Sequence, residues 1–92
     1  MYEDVKKILE NFENLKRLLS SRALCEEDRI VICDEPLKII IRRDRIDFYV
    51  YDEYHGFVSS STKKMSKEVE KEAKLWLKAL SSLKFRRFSV RP

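Results

Sequence analysis

The sequence predicts a small α+β fold: an antiparallel sheet of three or four strands, flanked by an N-terminal and a C-terminal helix. Two segments, 3–22 and about 63–82, have apolar residues at the 3-4 spacing of amphipathic helices. Between them lie three short runs rich in Ile, Val, Phe and Tyr, which are typical of strands. The predicted order is therefore α-β-β-β-(β)-α, followed by a basic tail.

Length and composition indicate one folded domain spanning residues 1–92. The hydrophobic fraction is 43%, which is enough for a modest core. No apolar run approaches the ~18–20 residues of a membrane span, and the N-terminus lacks a secretory apolar segment. We therefore expect a soluble, cytoplasmic protein with no membrane partner.

The two cysteines, Cys25 and Cys33, are too few and unsuitably spaced for a zinc site or a disulfide scaffold. In an intracellular protein they are expected to be free thiols. No Gly-rich loop or paired-histidine motif is present. The sequence therefore predicts neither a metal nor a cofactor.

The first predicted helix covers residues 3–22. Acids at Glu3 and Asp4 and a base at Arg22 suit the helix dipole. Its apolar stripe consists of Val5, Ile8, Leu9, Phe12, Leu15, Leu18 and Leu19.

Three strands are predicted next, and their registers follow from the turns between them. The strands are Arg29–Cys33, Leu37–Arg42 and Arg45–Tyr51. A tight turn at Arg43-Asp44 would pair opposed residues whose numbers sum to 87. The pairs would be Ile41 with Ile46, Ile39 with Phe48 and Leu37 with Val50. If Asp34-Glu35-Pro36 lies in the preceding turn, Ile32 meets Leu37 and Ile30 meets Ile39.

These registers place most large apolar residues on one sheet face, against which both helices should pack. The opposite face remains too apolar to be simply solvated. It could be a protein interface, including a homodimer interface, or a platform that stacks bases on Tyr49 and Tyr51. Its predicted residues are Val31, Cys33, Ile40, Tyr49 and Tyr51, together with Lys38, Arg42, Arg45 and Asp47.

The second helix is predicted after a loop at 52–56 and a short fourth strand at 57–60. The run Ser59-Ser60-Ser61-Thr62 and Ser66 are alternative N-caps, and the helix should end near Ser82. Its predicted core stripe consists of Val69, Ala73, Trp76, Leu77 and Leu80.

One face of this helix carries a stripe of lysines. At about 100° per residue they fall within roughly 60° of Lys67, provided that the helix begins near Thr62. Residues 63–92 carry 10 Lys or Arg and 3 Glu, a balance of +7, whereas residues 1–62 have a balance of −3. The lysines are Lys63, Lys64, Lys67, Lys71, Lys74 and Lys78.

The tail, residues 84–92, extends this basic character. Lys84, Arg86 and Arg87 could bind phosphates, while Phe85 and Phe88 either stack on bases or pack against the core. The tail is predicted to be either a last strand or an arm.

The sequence favours a non-catalytic module that binds the backbone of RNA or DNA through this helix and tail. The alternative is a protein-interaction module that uses the open sheet face, either as a homodimer or as a small subunit or inhibitor acting on an acidic protein. A metal-dependent nuclease centred on Asp47 and His55 is a minor third hypothesis. The acids that would assist them are Asp44, Asp52 and Glu53.

Overall fold

The computed structural model describes residues 1–82, which form three helices and a six-stranded antiparallel sheet. The α+β prediction is confirmed, but the sheet has six strands where three or four were predicted. The helices are α1 (Tyr2–Glu10), α2 (Phe12–Leu18) and α3 (Lys67–Ser81). The strands are β1 (Leu24–Cys25), β2 (Arg29–Asp34), β3 (Leu37–Arg42), β4 (Ile46–Val50), β5 (Glu53–Val58) and β6 (Lys63–Met65).

The strands form a meander, in the order β1-β2-β3-β4-β5-β6. The predicted β3–β4 register is confirmed, with Ile39 opposite Phe48. The turn at Arg43-Asp44 contains no Gly, but Arg43 is anchored. Its guanidinium donates to Glu13 Oε2 at 2.6 Å and lies 4.5 Å from the centre of the Phe12 ring. These contacts fasten the turn to α2.

The predicted β2–β3 register is wrong by two residues. Ile32 lies opposite Ile39, and Asp34 lies opposite Leu37. The reason is that Asp34 belongs to the strand, which leaves only Glu35 and Pro36 in the turn. Because a shift of two residues keeps the alternation of side chains, the predicted faces were still correct.

The region predicted as a loop at 52–56 is mostly strand β5. The connection is a two-residue turn in which Tyr51 and Asp52 have φ values of 51° and 66°. Such turns suit the twist of a hairpin. Asp tolerates this backbone well, but Tyr is an unusual residue there, which explains why the sequence did not indicate a hairpin.

The predicted first helix is divided at Asn11 and ends at Leu18 instead of residue 22. The Asn11 side chain donates to the Lys7 carbonyl oxygen at 2.8 Å. Such local side-chain hydrogen bonds compete with the backbone hydrogen bonds of a regular helix. Most of the apolar stripe is nevertheless buried, because Phe12, Leu15 and Leu19 pack in the same core as Val5 and Ile8. Leu9 is partly buried, and Leu18 is exposed.

All three helices contribute to a single core on one face of the sheet. Ser81 Oγ of α3 donates to Asp4 Oδ1 of α1 at 2.9 Å, which links the two helices. The predicted stripe of α3 is buried except for Trp76, which is half-buried. The sheet contributes Ile30, Ile32, Leu37, Ile39, Ile41, Ile46, Phe48 and Val58, with Val50 at the margin.

Both cysteines are free, as predicted: Cys25 is half-buried and Cys33 is exposed. Across residues 1–82, none of the helices has the length and apolar character needed to cross a membrane.

Gly56 is the chain's one glycine, and the sheet requires it. Its φ is +114°, and a Cβ built there would lie 2.0 Å from the Lys64 carbonyl oxygen and 2.5 Å from Met65 Cα. Both obstacles are backbone atoms of β6, which cannot move aside as a flexible side chain can.

We expect Gly56→Ala to destabilise the fold by roughly 2 kcal/mol or more, because it combines a strained φ with a backbone clash. Guanidinium unfolding followed by circular dichroism measures the change. Ser61→Ala, at an exposed position of the next turn, is the control and should change stability little. Equal stability of Gly56→Ala and wild type would contradict the close approach of β6 to β5.

Candidate nucleic-acid interface

Four lysines form an exposed row along α3, here called the lysine row: Lys67, Lys71, Lys74 and Lys78. They lie opposite the buried stripe of the helix, so all four point away from the core. Successive members are three or four residues apart, about 5–6 Å along the helix, and the row is roughly 16 Å long. The prediction that these four lysines share one face of the helix is confirmed.

The other two lysines of the predicted stripe do not belong to it, because α3 begins at Lys67 with Ser66 as its N-cap residue. Lys63 and Lys64 are in β6, where alternation sends their side chains to opposite faces of the sheet. Lys63 pairs with Val58 and therefore lies on the helix side, whereas Lys64 pairs with Phe57 and lies on the other side. The predicted six-lysine surface is therefore wrong.

The acids of α3 leave most of the lysine row unneutralised. Lys63 Nζ lies 2.6 Å from Glu70 Oε2 and lowers the pKa of that carboxyl group. Lys74 approaches the same oxygen only to 4.0 Å. Within residues 1–82, Lys67, Lys71 and Lys78 form no ion pair.

The predicted tail residues Lys84, Arg86 and Arg87 lie outside the described residues. The tail prediction at 84–92 therefore stays a prediction.

The sheet face turned away from the helices, here called the open face, is not covered by any element of residues 1–82. Antiparallel partners share a face, so the registers arrange its side chains in rows across the strands. The central row runs Leu24, Val31, Ile40, Asp47, Phe57 and Lys64. The next row runs Cys33, Lys38, Tyr49 and Tyr54.

A buried carboxylate organises the middle of the open face. The Asp47 side chain is only 2% exposed and accepts hydrogen bonds from three groups. Arg42 Nε donates at 2.7 Å, Arg45 Nε at 3.1 Å and the Tyr54 hydroxyl at 2.9 Å. Charge-assisted bonds of this kind are strong and directional. Asp47 therefore holds two guanidinium groups and one phenol in fixed positions.

Aromatic rings accompany these charges. The ring centres of Tyr49 and Tyr54 are 5.2 Å apart, with an angle of 56° between their planes. The Arg45 guanidinium carbon lies 5.8 Å from the centre of the Phe57 ring, and Lys38 Nζ lies 5.5 Å from that of Tyr49. Arg45 and Lys38 therefore each lie beside one of the three rings on this surface.

One residue predicted for this face lies outside it, and another lies on it but is almost fully buried. Tyr51 lies in the β4–β5 turn and is 79% exposed, beyond the end of the strand. Ile40 is only 8% exposed although no described helix covers it. Its neighbours on the same face of β3 are Lys38 and Arg42, whose aliphatic stems can cover apolar surface. Val31 and Tyr49 are half-buried on the open face, as predicted.

Sequence reasoning missed Tyr54, Phe57 and Lys64 as members of this face. The loop predicted at 52–56 concealed Tyr54. Phe57 was in a predicted strand, at 57–60, whose register was not predicted, and Lys64 was predicted to lie in the second helix. Only a hairpin turn at Tyr51-Asp52 would have placed Tyr54 opposite Tyr49, and β5 also contains an extra residue at His55 that shifts its register.

The residues of the nuclease hypothesis do not converge on a metal site. Asp47 is already bound by two arginines, and His55 Nδ1 lies 2.7 Å from Ser66 Oγ. Within residues 1–82, no group of three or more His, Cys, Asp or Glu side chains is arranged to hold a metal ion.

A groove of about 690 Å³ lies between α3, the end of α2 and strand β2. Trp76 Nε1 donates to Asp34 Oδ2 across it at 3.2 Å, and the exposed Leu75 forms part of its wall. The groove contains none of the lysines of the row.

The Tyr54 hydroxyl gives a pH-dependent test of the Asp47 cluster. Burial and the hydrogen bond to Asp47 raise the pKa of Tyr54 above the usual value of 10.0. Its contribution to folding stability is therefore complete below pH 10 and is lost as the pH rises through the folded-state pKa. We expect Tyr54→Phe to remove a component above pH 10 from the tyrosinate absorbance titration. Tyr51→Phe, which changes an exposed turn residue, should leave that component; its persistence in Tyr54→Phe would refute the bond.

Comparison with known proteins identifies relatives of the whole chain. The model of a family described as "Archaeoglobi AF1636 family protein" matches residues 1–92. A protein from Archaeoglobus fulgidus that carries the name "Uncharacterized protein" is 49% identical over 85 residues, which cover 92% of this chain and 92% of that protein. No solved structure matches the chain. The chain belongs to the Archaeoglobi AF1636 family.

Proposed function

We propose that this protein is a small, non-catalytic module that binds the backbone of nucleic acid through the lysine row of α3. The observation that supports this most directly is the row itself: four exposed ammonium groups on one helix face, three of which form no ion pair within 4.0 Å of an acid in residues 1–82. Their spacing of about 5–6 Å places one positive charge at each helical turn. A polyanion can contact all four and release its condensed counterions.

The energetic cost of the row supports a role in binding. Like charges at i,i+3 and i,i+4 destabilise a helix by about 0.2–0.5 kcal/mol per pair. The row contains three such neighbouring pairs, from Lys67–Lys71 to Lys74–Lys78. A sequence that served stability alone would alternate lysines with acids along this face. An anionic partner would turn this cost into a gain.

Contacts of this type carry little sequence information. Lysine ammonium groups bind phosphates as point charges, and phosphate contacts position a protein without reading bases. The proposed binding therefore has little sequence preference and is strongly salt-dependent. An acidic protein is an alternative partner for the same row.

The second candidate function is a protein-interaction module, most simply a homodimer through the open face. Leu24 favours this, because it is 60% exposed at the start of the central row, beside the half-buried Val31. Exposed apolar residues that continue into a partly covered sheet face are common at interfaces.

If the lysine row binds the backbone, we expect the double variant Lys71→Glu/Lys78→Glu to bind a labelled RNA or DNA duplex at least about tenfold more weakly at low salt. The slope of log affinity against log salt should fall by about 2, one unit for each lost phosphate contact. Fluorescence anisotropy across a salt series measures both quantities.

The matched control is Lys6→Glu/Lys7→Glu, which makes the same change in net charge at two exposed positions of α1. It should weaken binding much less. Equal losses in the two variants would mean that only the overall charge matters. If the wild type binds no nucleic acid at low salt, the proposed function is wrong.

The homodimer hypothesis predicts a dimer mass in light scattering, and Leu24→Glu should dissociate it. Leu75→Glu is the matched control, because Leu75 is 58% exposed but lies on α3, on the other side of the sheet. A wild-type protein that is monomeric at high concentration would rule out the homodimer.

A further inference from the structure

From the arrangement of the open face, we infer that it is a second nucleic-acid surface that takes single strands, with bases stacked on its aromatic rings. This inference rests on the proposed function and adds the class of nucleic acid. It concerns the surface centred on Asp47, which lies on the opposite side of the sheet from the lysine row.

The charge of the open face fits a polyanion. Five basic side chains lie on it, whereas Asp47 is its one acid among residues 1–82. Acids at the rim reduce this charge: Glu26 Oε1 lies 2.9 Å from Arg29 Nε, Asp52 Oδ1 lies 3.3 Å from Lys38 Nζ, and Asp44 interacts electrostatically with Arg45. Lys64 forms no ion pair within those residues. The basic residues are Arg29, Lys38, Arg42, Arg45 and Lys64.

Asp47 fixes the two central guanidinium groups without occupying all of their donors. Arg42 and Arg45 each use Nε on the carboxylate, which leaves their terminal nitrogen atoms as further donors. The side chains of these two arginines are 31% and 41% exposed. Because they are already held in place, they lose little conformational freedom when they bind phosphate.

The aromatic rings provide surfaces for bases. Tyr54 is 53% exposed, and Tyr49 and Phe57 are half-buried beside it and beside Arg45. Bases stack on such rings whatever their identity, provided that they are not already paired within a duplex. A broad sheet with rings on its surface therefore favours unpaired bases over a helix.

The same charges argue against self-association through this face. In a twofold dimer, each copy presents the same surface to the other. Arg42, Arg45 and Lys64, which form no ion pair with a rim carboxylate within residues 1–82, would then face an identical set across the buried Asp47 carboxylates, which is unfavourable at close range. An anionic strand is the complementary occupant.

The test compares binding of a labelled oligouridine and a labelled RNA duplex of the same length to the full chain. Tyr54→Leu removes a ring without changing charge and should weaken oligouridine binding roughly 5- to 150-fold, the value of one stacked base. It should leave duplex binding unchanged. Tyr54→Phe keeps the ring and loses only the hydroxyl group, so it should retain most of the affinity.

Lys64→Gln is a second variant at an exposed position, chosen in case Tyr54→Leu impairs folding. It should lower the salt dependence of oligouridine binding by about one unit and leave that of the duplex unchanged. Circular dichroism establishes whether each variant is folded.

The outcomes separate this inference from the proposed function. Oligouridine binding that is unaffected by Tyr54→Leu and Lys64→Gln, but lost in Lys71→Glu/Lys78→Glu, overturns the inference and keeps the lysine row. If the wild type binds no nucleic acid, both the inference and the proposed function are overturned. A dimer that Tyr54→Leu dissociates would make the open face a protein interface and also overturn the inference.

Discussion

The burial of one sheet face beneath the helices is the constraint on which the rest of the structure depends. It buries most of the apolar stripes of α1, α2 and α3 and leaves the polar sides of these helices in solvent. Because side chains alternate along a strand, it also fixes which residues remain on the open face. The lysine row and the open face are therefore on opposite sides of the molecule. A straight segment of nucleic acid cannot contact both, so each surface makes its own contribution to binding.

Asp47 is the residue that organises the side chains of the open face. A buried carboxylate is costly unless it is paired, and here Arg42, Arg45 and Tyr54 all bind it. The cluster therefore holds the side chains of two arginines and a tyrosine in place on this surface. Without these bonds the same side chains would be mobile. These three hydrogen bonds also explain how a charged group is accommodated between Ile40 and Phe57, in the middle of a partly apolar row.

Much of the fold was predictable because it depends on local alternation. The pairing of Ile39 with Phe48 follows from strand patterns and one short turn. The errors arose where a single residue broke the local rule. Asn11 divides a helix that its apolar stripe predicts to be continuous. Tyr51 adopts a left-handed backbone conformation that its residue type does not favour, and this concealed the first part of β5.

The site was less predictable than the fold for a related reason. A lysine stripe drawn by helical angles assumes that the helix begins where the lysines begin. Lys63 and Lys64 instead lie in β6, and the antiparallel ladder sends one to each face. The row from Lys67 onward needed only the helical period, so it was identified correctly. The predicted registers placed Arg42, Arg45 and Asp47 on one sheet face. The cluster also needs Tyr54 of β5, which the predicted loop concealed.

The most direct test of this account is a titration of ¹⁵N-labelled protein with oligouridine at low salt, followed by amide chemical shifts. The account predicts saturable shifts at Tyr49, Tyr54 and Phe57, together with changes in the Arg42 and Arg45 side-chain signals. A duplex should instead shift the amides of α3. Absence of shifts with either ligand, or shifts confined to the groove beside Trp76, would contradict it.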